Sequence, residues 1–151
     1  MTQQTSEVVI AKSVVVAAPV EHAFRVFTEQ IHTWWPLRTH AVEPEQAETV
    51  VLEDFRGGRL FERTADGAEH VWGAITAWDP PNRLGYTWHP GRREETAQEV
   101  ELTFTAEDEG TRIDLRHWRW EKLGGRMAET VADYGEGWNL VIGRYVERAN
   151  A

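Results

Sequence analysis

One long amphipathic segment at the end of the sequence constrains the fold more than any other feature. Apolar and aromatic residues recur there at steps of three or four, which places them on one face of a helix. They are Leu123, Met127, Val131, Tyr134, Trp138, Ile142, Tyr145 and Ala149. The pattern predicts a helix over about 124–149. Glycines interrupt this helix at a cost of about 1 kcal/mol each relative to alanine, so packing against another element must stabilise it.

A series of short strands is predicted ahead of this helix. β-Branched residues over 8–17 predict the first strand, and Pro19 then starts an amphipathic helix over 19–29. A second short helical turn ends at Pro36. Turn-forming residues separate six further strands, at 48–55, 58–64, 69–78, 83–88, 97–105 and 111–119. Such short breaks favour consecutive antiparallel hairpins.

These elements predict an α+β fold in which a seven-stranded curved antiparallel sheet wraps around the long C-terminal helix. Two short helices follow the first strand. We expect a single domain, 1–151, with residues 1–7 as a flexible tail. A curved sheet around a helix leaves a space that side chains fill only in part, so we expect a ligand site there. Gly137 either lets the helix approach the sheet closely or bends the helix and widens that space.

Composition and charge exclude several classes of function. The chain has 16 Lys and Arg against 25 Asp and Glu, a net charge of −9, so neither nucleic acid nor an anionic membrane is an expected partner. It has no cysteine, which excludes disulfides, thiol catalysis and cysteine metal sites. Its first residues form no basic or apolar leader, and we expect a cytoplasmic protein. Phosphate-binding loops, a nucleophilic-serine elbow and metal-ligand spacings are absent from the sequence, so we expect no metal and no organic cofactor.

The 8 tryptophans are the strongest indication of a binding site. Indole is the largest side chain, and so many indoles cannot all pack in a small core without leaving irregular spaces. They are either packing aromatics or the lining of a cavity for a flat or apolar ligand, and one residue can do both. The candidate cavity-lining residues are Trp34 and Trp35, which end the short helical turn expected to cover the cavity, and, by strand and helix phase, Tyr86, Trp88, His117, Tyr134, Trp138 and Ile142.

Other polar and aromatic positions keep more than one interpretation. His117 alternates with Ile113 and Leu115, so it should point inward as a hydrogen-bonded core residue, a polar contact for a ligand or a general base. Glu62 is either a solvated strand charge or a cavity group that pairs with an arginine or a ligand amine. The tryptophans without an assigned face are Trp72, Trp78, Trp118 and Trp120.

Several segments resemble a known family. They are APVEHAFRVFTEQIHTWWP (18–36), GGRLFER (57–63), DGAEHVWGAITAWDPPNRLGYTW (66–88), GTRIDLRHWRWEKLG (110–124) and YGEGWNL (134–140). Together they resemble the family related to the activator of the heat-shock-chaperone ATPase, within the SRPBCC or START-like superfamily. The resemblance, over about 8–149, implies the helix-grip fold and a hydrophobic cavity between sheet and long helix. It implies no single shared reaction.

Three hypotheses of function follow. The first is binding of a small hydrophobic or aromatic molecule in the cavity. The second is a cofactor-free enzyme of the cyclase or hydratase kind, which needs two inward titratable groups near one substrate. Since only His117 is a clear candidate, we assign no catalytic residue and rank binding first. The third is an interaction module, with a chaperone as a candidate partner by resemblance, or a homodimer formed through a sheet face or through exposed Trp118 and Trp120.

Overall fold

The computed structural model describes residues 9–122 and 127–151. The strands are β1 Ile10–Val16, β2 Ala47–Leu52, β3 Arg59–Thr64, β4 Glu69–Asp79, β5 Arg83–Trp88, β6 Gln98–Glu107 and β7 Gly110–Trp118. The helices are α1 Val20–Phe27 and α2 Met127–Asn150, with short 3₁₀ turns at Ile31–Thr33 and Glu94–Thr96. The expected tail 1–7, the expected helix start at 124 and Leu123 lie outside the described residues.

The strands form one antiparallel sheet in the order β1-β7-β6-β5-β4-β3-β2. Strands β2 to β7 are joined as consecutive hairpins, which confirms the predicted meander. The first strand pairs with β7, with Ile10 opposite His117 and Val16 opposite Thr111. The α+β helix-grip prediction is therefore confirmed, including the two short helical segments after β1. The largest difference in strand limits is at the end of β2, predicted at 55 and observed at Leu52.

The early end of β2 follows from the turn that joins it to β3. The Glu53 carboxylate accepts the backbone N–H of Arg59 at 2.7 Å and pairs with the Arg59 guanidinium at 3.3 Å. At Gly58 the chain passes so close that an added Cβ would lie 2.8 Å from the Glu53 backbone oxygen. Only glycine fits there, and the tight turn takes this segment out of the strand.

Alternating residues of the central strands form the core, as their spacing predicts. The buried triplets are Leu84, Tyr86 and Trp88; Val100, Leu102 and Phe104; and Ile113, Leu115 and His117. Charged residues of the same strands lie on the other face, where Arg83 pairs with Glu101 at 3.0 Å and Arg112 with Asp114 at 3.0 Å. Exposed pairs of this kind contribute about 0–1 kcal/mol each, so the buried face supplies most of the stabilisation.

Helix α2 packs its predicted stripe against the sheet and α1. The buried and half-buried members of the stripe are Val131, Tyr134, Trp138, Ile142, Tyr145 and Ala149, while the Met127 side chain is outside the described part. The Tyr145 hydroxyl donates to the backbone oxygen of Ala23 in α1 at 2.8 Å, which joins the two helices. Within 9–122 and 127–151, no helix is both long and apolar enough to cross a membrane.

Candidate functional site

A cavity of about 450 Å³ lies between α2 and the sheet. Its aromatic lining residues are Trp35, Trp72, Trp88, Tyr134 and Trp138. Its mouth is formed by loop residues, namely His40, Ala41, Val42, Pro90 and Gly91. Gly137 and Val141 of α2 complete the lining. The cavity therefore occupies the position that the fold order predicts, with walls that are mainly aromatic.

Four indoles pack against one another to form one wall, which we call the indole wall: Trp35, Trp72, Trp88 and Trp138. Ring centroids are 5.0 Å apart for Trp35 and Trp72 and 5.6 Å apart for Trp72 and Trp88. The Trp88 and Trp138 centroids are 5.8 Å apart, and those of Trp35 and Trp138 are 6.3 Å apart. Aromatic pairs at such separations are worth about 0.5–1.5 kcal/mol beyond their burial, so the four rings support each other.

Most N–H groups of the indole wall are hydrogen-bonded inside the protein. The donor–acceptor pairs are Trp35 to the His40 backbone oxygen (2.7 Å), Trp72 to the Glu62 carboxylate (2.7 Å) and Trp138 to Nδ1 of His117 (2.9 Å). Trp88 is the exception. It is 4% exposed, and its Nε1 atom has no hydrogen-bond partner among the residues that the structure describes. A buried N–H without an acceptor is uncommon and calls for an explanation.

Glu62 is a buried carboxylate that joins the indole wall to the 36–46 loop. It is 0% exposed. Besides the Trp72 N–H, it accepts the backbone N–H of Val42 at 2.6 Å and that of Glu43 at 2.9 Å. The interpretation of Glu62 as a solvated charge is therefore wrong. Its oxygens are held by three neutral donors instead of an arginine, which satisfies the requirement that buried polar groups be hydrogen-bonded.

A β-bulge in β4 explains why the sequence pattern assigns no face to Trp72. Leu60 pairs with Gly73, whereas the next residue, Phe61, pairs with Val71. Trp72 is thus the extra residue of the bulge, and its side chain turns inward against the simple alternation. The sequence does contain an indication, because a glycine inside a strand marks a bulge or a close approach of another chain segment. Gly73 directly follows the missed tryptophan.

His117 lies behind the indole wall and not at the cavity surface. It is 0% exposed and stacks on Trp120 with centroids 4.0 Å apart. Since Nδ1 accepts from Trp138, Nε2 carries the hydrogen and donates to the side-chain oxygen of Gln98, 3.2 Å away. Burial lowers the pKa of His117 to about 3, so the ring is neutral at pH 7. The inward orientation predicted from strand phase is confirmed, and the ring supports Trp138 from behind.

The candidate residues divide between the cavity surface and the core behind it. Those that line the cavity are Trp35, Trp88, Tyr134 and Trp138. Those outside the lining are Trp34, Tyr86, His117 and Ile142, all of them buried. Trp34, for example, donates its N–H to the backbone oxygen of Val26 at 2.7 Å and packs on Tyr145. Strand and helix periodicity predicts the side on which a residue lies, but not whether it lies at the cavity surface or in the core behind it.

Trp118 and Trp120 lie on opposite sides of the sheet. Trp118 is half-buried on the outer face, with the Arg116 guanidinium 4.6 Å from its ring centre. Trp120 is 1% exposed and donates its N–H to the backbone oxygen of His117 at 2.9 Å. Arg119 between them has a φ of 73°, in the left-handed region, which turns the chain and ends the alternation. The expectation that Trp120 is exposed or at an interface is wrong for this reason.

Two titratable side chains of the described residues face the cavity, His40 and Tyr134. Burial lowers the pKa of His40, so its ring is neutral at pH 7. Burial raises the pKa of Tyr134, with the Trp88 indole and the Arg92 charge acting in the opposite direction, so the phenol keeps its proton. Sequence reasoning missed His40, because no periodicity indicates where a loop side chain points. No three His, Asp or Glu side chains in the described parts of the chain come close enough to hold a metal ion.

Side chains hold the 36–46 loop in place over the cavity. The Arg38 guanidinium donates to the backbone oxygens of Pro44 and Ala47, at 2.8 and 3.0 Å. The Glu43 carboxylate contacts Nε2 of His70 in β4. Together with the buried carboxylate described above, these contacts fix an irregular segment and so position the residues of the mouth.

An antiparallel sheet around one C-terminal helix, with an aromatic cavity between them, defines a helix-grip protein. Residues 17–147 match the model of the Activator of Hsp90 ATPase homolog 1-like protein family, and the chain belongs to this family. The resemblance drawn from the sequence motifs is thereby confirmed. Among curated proteins, none matches this chain in sequence.

Solved structures share the fold over nearly the whole chain. The anthrahydroquino-γ-pyrone synthase Txn09 is 33% identical, over 93% of this chain and 97% of its own, with a TM-score of 0.62. The self-sacrificing resistance protein CalC from Micromonospora echinospora is 26% identical, over 93% of each chain, with a TM-score of 0.69. Protein NE0264 from Nitrosomonas europaea is 16% identical over 95% of each chain, with a TM-score of 0.67, and shares the fold alone.

Proposed function

We propose that this chain binds a flat, largely apolar aromatic molecule in the cavity between the sheet and α2. The observation that carries the proposal is the indole wall, which together with Tyr134 lines a space of about 450 Å³. Cavities of this size suit small organic ligands. Because most N–H groups of the wall are bonded within the protein, the wall offers ring faces and edges. A flat apolar body is complementary to such a surface.

Similarity to Txn09 supports an aromatic ligand. That protein is described as a synthase of an anthrahydroquino-γ-pyrone, a fused aromatic molecule, and it is 33% identical to this chain. A fused aromatic system is the kind of molecule that an indole wall fits. We therefore favour ligands with two or more fused rings over aliphatic ones.

A second candidate is a cofactor-free enzyme of the cyclase kind that uses the same cavity. The similarity to a synthase favours it, and so does the presence of two titratable side chains, His40 and Tyr134, in one cavity, as a reaction of this kind requires. Native mass spectrometry of protein from its own host would identify a bound molecule. If catalytic amounts of protein convert that molecule, the chain is an enzyme. Because a bound product would stay unchanged, chemical precursors of the molecule are incubated in the same way, and conversion of none of them indicates a binding protein.

Two glycines of α2 provide a direct test of the cavity. Gly137 lines it, and an added Cβ there would lie 3.4 Å from Nε2 of His40. Gly143 lies on the same helix outside the lining, and a Cβ there meets no described atom within 4 Å. The probe is fluorene, a flat fused hydrocarbon, measured by equilibrium dialysis.

We expect fluorene to bind about one site per chain in the unsubstituted protein and in Gly143→Leu. In Gly137→Leu the new side chain fills the cavity, and affinity falls by about tenfold or more. Circular dichroism checks that both variants are folded. Binding of neither fluorene nor its ketone analogue 9-fluorenone to the unsubstituted protein, or equal affinity of the two variants for fluorene, would contradict the proposal.

We also propose a cytoplasmic location. The chain has no cysteine, which is in keeping with a reducing compartment, and its net charge is −9. Subcellular fractionation of the host with an antibody against the chain tests this, and recovery in an extracellular or membrane fraction would contradict it.

A further inference from the structure

The polar groups that the cavity offers to a ligand are few. The wall indoles Trp35, Trp72 and Trp138 donate their N–H groups to protein acceptors. Among the described lining residues, the polar side-chain groups left over are the His40 imidazole and the Tyr134 hydroxyl, because the Trp88 Nε1 atom, although unpaired, is itself buried. What these groups donate or accept decides which ligand oxygen or nitrogen the cavity can recognise.

The His40 ring presents a hydrogen-bond donor. Oγ1 of Thr39 lies 2.7 Å from Nδ1 of His40 and 3.4 Å from the backbone oxygen of Pro36. A hydroxyl donates to the nearer acceptor, so Nδ1 of the neutral ring accepts and Nε2 carries the hydrogen. Nε2 faces α2 beside Gly137, where the missing side chain leaves room. It makes no hydrogen bond to any residue in the described parts of the chain.

Tyr134 adds a second donor to the same cavity, and Trp88 packs beside it. The Trp88 indole is near enough to the Tyr134 phenol to lower its pKa against the effect of burial. Within the described residues, however, no hydrogen bond of acceptable geometry uses the Trp88 N–H. The phenol keeps its proton and can donate it as well. The cavity is thus rich in donors and lacks a charged acceptor among its described lining residues.

The geometry points to a ligand that carries a carbonyl oxygen on its aromatic body, with Nε2 of His40 as the donor that binds it. This inference rests on the proposed function and specifies its ligand class as planar aromatic ketones and quinones. A carbonyl brought into an apolar cavity loses its hydrogen bonds to water, so the cavity must supply a donor. Such a site binds an analogue without the oxygen more weakly, because the N–H donor of the protein is then left without an acceptor.

Fluorene and 9-fluorenone test the inference, because they share one planar ring system and differ by a single carbonyl. Equilibrium dialysis gives the ratio of their affinities for the same protein. The unsubstituted protein should bind 9-fluorenone about two- to tenfold more tightly than fluorene, the range expected for one added hydrogen bond. An apolar cavity without a donor would favour fluorene instead, because water solvates the ketone oxygen.

Two substitutions at His40 locate the donor. His40→Phe removes the N–H and keeps a flat ring, and it should abolish the preference for 9-fluorenone. His40→Gln, whose side-chain amide can place an N–H near the position of Nε2, should retain a preference above that of His40→Phe. Because 9-fluorenone and fluorene share one ring system, a change in cavity shape affects both affinities alike and cancels in their ratio.

The failures of the two proposals are distinguishable. If fluorene and 9-fluorenone both fail to bind, the proposed function is overturned. If fluorene binds and 9-fluorenone binds no more tightly, the cavity still holds apolar aromatics but the carbonyl inference is overturned. An undiminished preference for 9-fluorenone in His40→Phe also overturns it, since the donor would then lie elsewhere.

Discussion

The indole nitrogen of Trp72 lies 2.7 Å from a carboxylate oxygen of Glu62, and this bond ties the cavity wall to the loop at the cavity mouth. The same carboxylate accepts the backbone N–H groups of Val42 and Glu43. One side chain therefore sets the position of a strand residue and of a loop segment that is distant in sequence. The wall and the mouth are held in one arrangement before a ligand enters.

Replacing this carboxylate is expected to destabilise the protein. In Glu62→Gln an NH₂ group replaces an accepting oxygen and faces N–H donors, so buried donors lose their partner. The free energy of unfolding should fall by about 2–4 kcal/mol, measured by urea denaturation. Glu48→Gln is the matched control, because Glu48 is exposed on β2, and its effect should stay within about 0.5 kcal/mol. Similar losses in both variants would contradict the role of Glu62.

The burial of His117 predicts a loss of stability in acid. Its pKa is lowered from 6.5 to about 3 in the folded protein, so the unfolded chain binds the proton first as the pH falls. Stability contributed by the neutral ring is present above pH 6.5 and is lost between pH 6.5 and 3. From pH 7 to pH 5 this loss amounts to about 2 kcal/mol in the free energy of unfolding.

The His117→Asn variant isolates this contribution. Asparagine keeps an oxygen that can accept from Trp138 but does not titrate. Urea denaturation at pH 7 and pH 5 should show an acid-induced loss about 2 kcal/mol smaller than in the unsubstituted protein. The pKa of His40 is also lowered in the folded protein, so part of the acid-induced loss of stability remains in His117→Asn. His32→Asn, at an exposed position, should retain the full loss, and an undiminished loss in His117→Asn would refute the assignment.

Trp138 and Trp120 form a matched pair that separates packing from binding. Both are buried and both donate an N–H to His117, but only Trp138 lines the cavity. Trp138→Phe and Trp120→Phe should each lower the free energy of unfolding by about 1–3 kcal/mol. Fluorene affinity should change several-fold in Trp138→Phe and stay within about twofold in Trp120→Phe. If affinity is unchanged in both, Trp138 serves the core alone.

Substitution by alanine should change the stability of the protein in opposite directions at two glycines. A Cβ at Gly73 would lie 1.7 Å from the backbone oxygen of Thr87, so β4 and β5 must separate at the bulge. Gly73→Ala should cost about 3 kcal/mol or more, or prevent folding. Gly143→Ala should raise stability by about 0.5–1 kcal/mol, because its position in α2 is open and alanine favours helix. Thermal melting measures both, and a stable Gly73→Ala protein would contradict the close approach.

Elements with a clear period were predictable from the sequence. The strands with alternating residues and the end of α2 were placed within a few residues of their observed limits. The period also gave the correct inward face for His117. It could not give depth, since a residue on the inner face can lie at the cavity surface or behind it. Whether a residue reaches the cavity surface depends on the side chains that pack around it from other elements.

The residues that were missed depend on local departures from the period. Trp72 faces inward through a bulge, and Trp120 through the positive φ of Arg119. His40 lies in an irregular loop whose course is set by hydrogen bonds of Arg38 within the loop and to the start of β2, and by the buried carboxylate of Glu62 in β3. The contacts of Glu62 join segments that sequence spacing does not relate. Three of the four indoles of the wall were therefore predicted from the sequence, and the mouth was not.

Three of the four wall indoles, all but Trp88, donate their N–H groups to acceptors within the protein, so the shape of the wall depends on the same contacts as the fold. The proposed hydrogen bond to a ligand carbonyl is made by His40, a loop residue that belongs to neither the sheet nor the stripe of α2. A relative with a different residue at this position can acquire a new ligand preference while its folding remains unaltered. Diversification of ligand choice within such a lineage would then concentrate in the loop and spare the tryptophans.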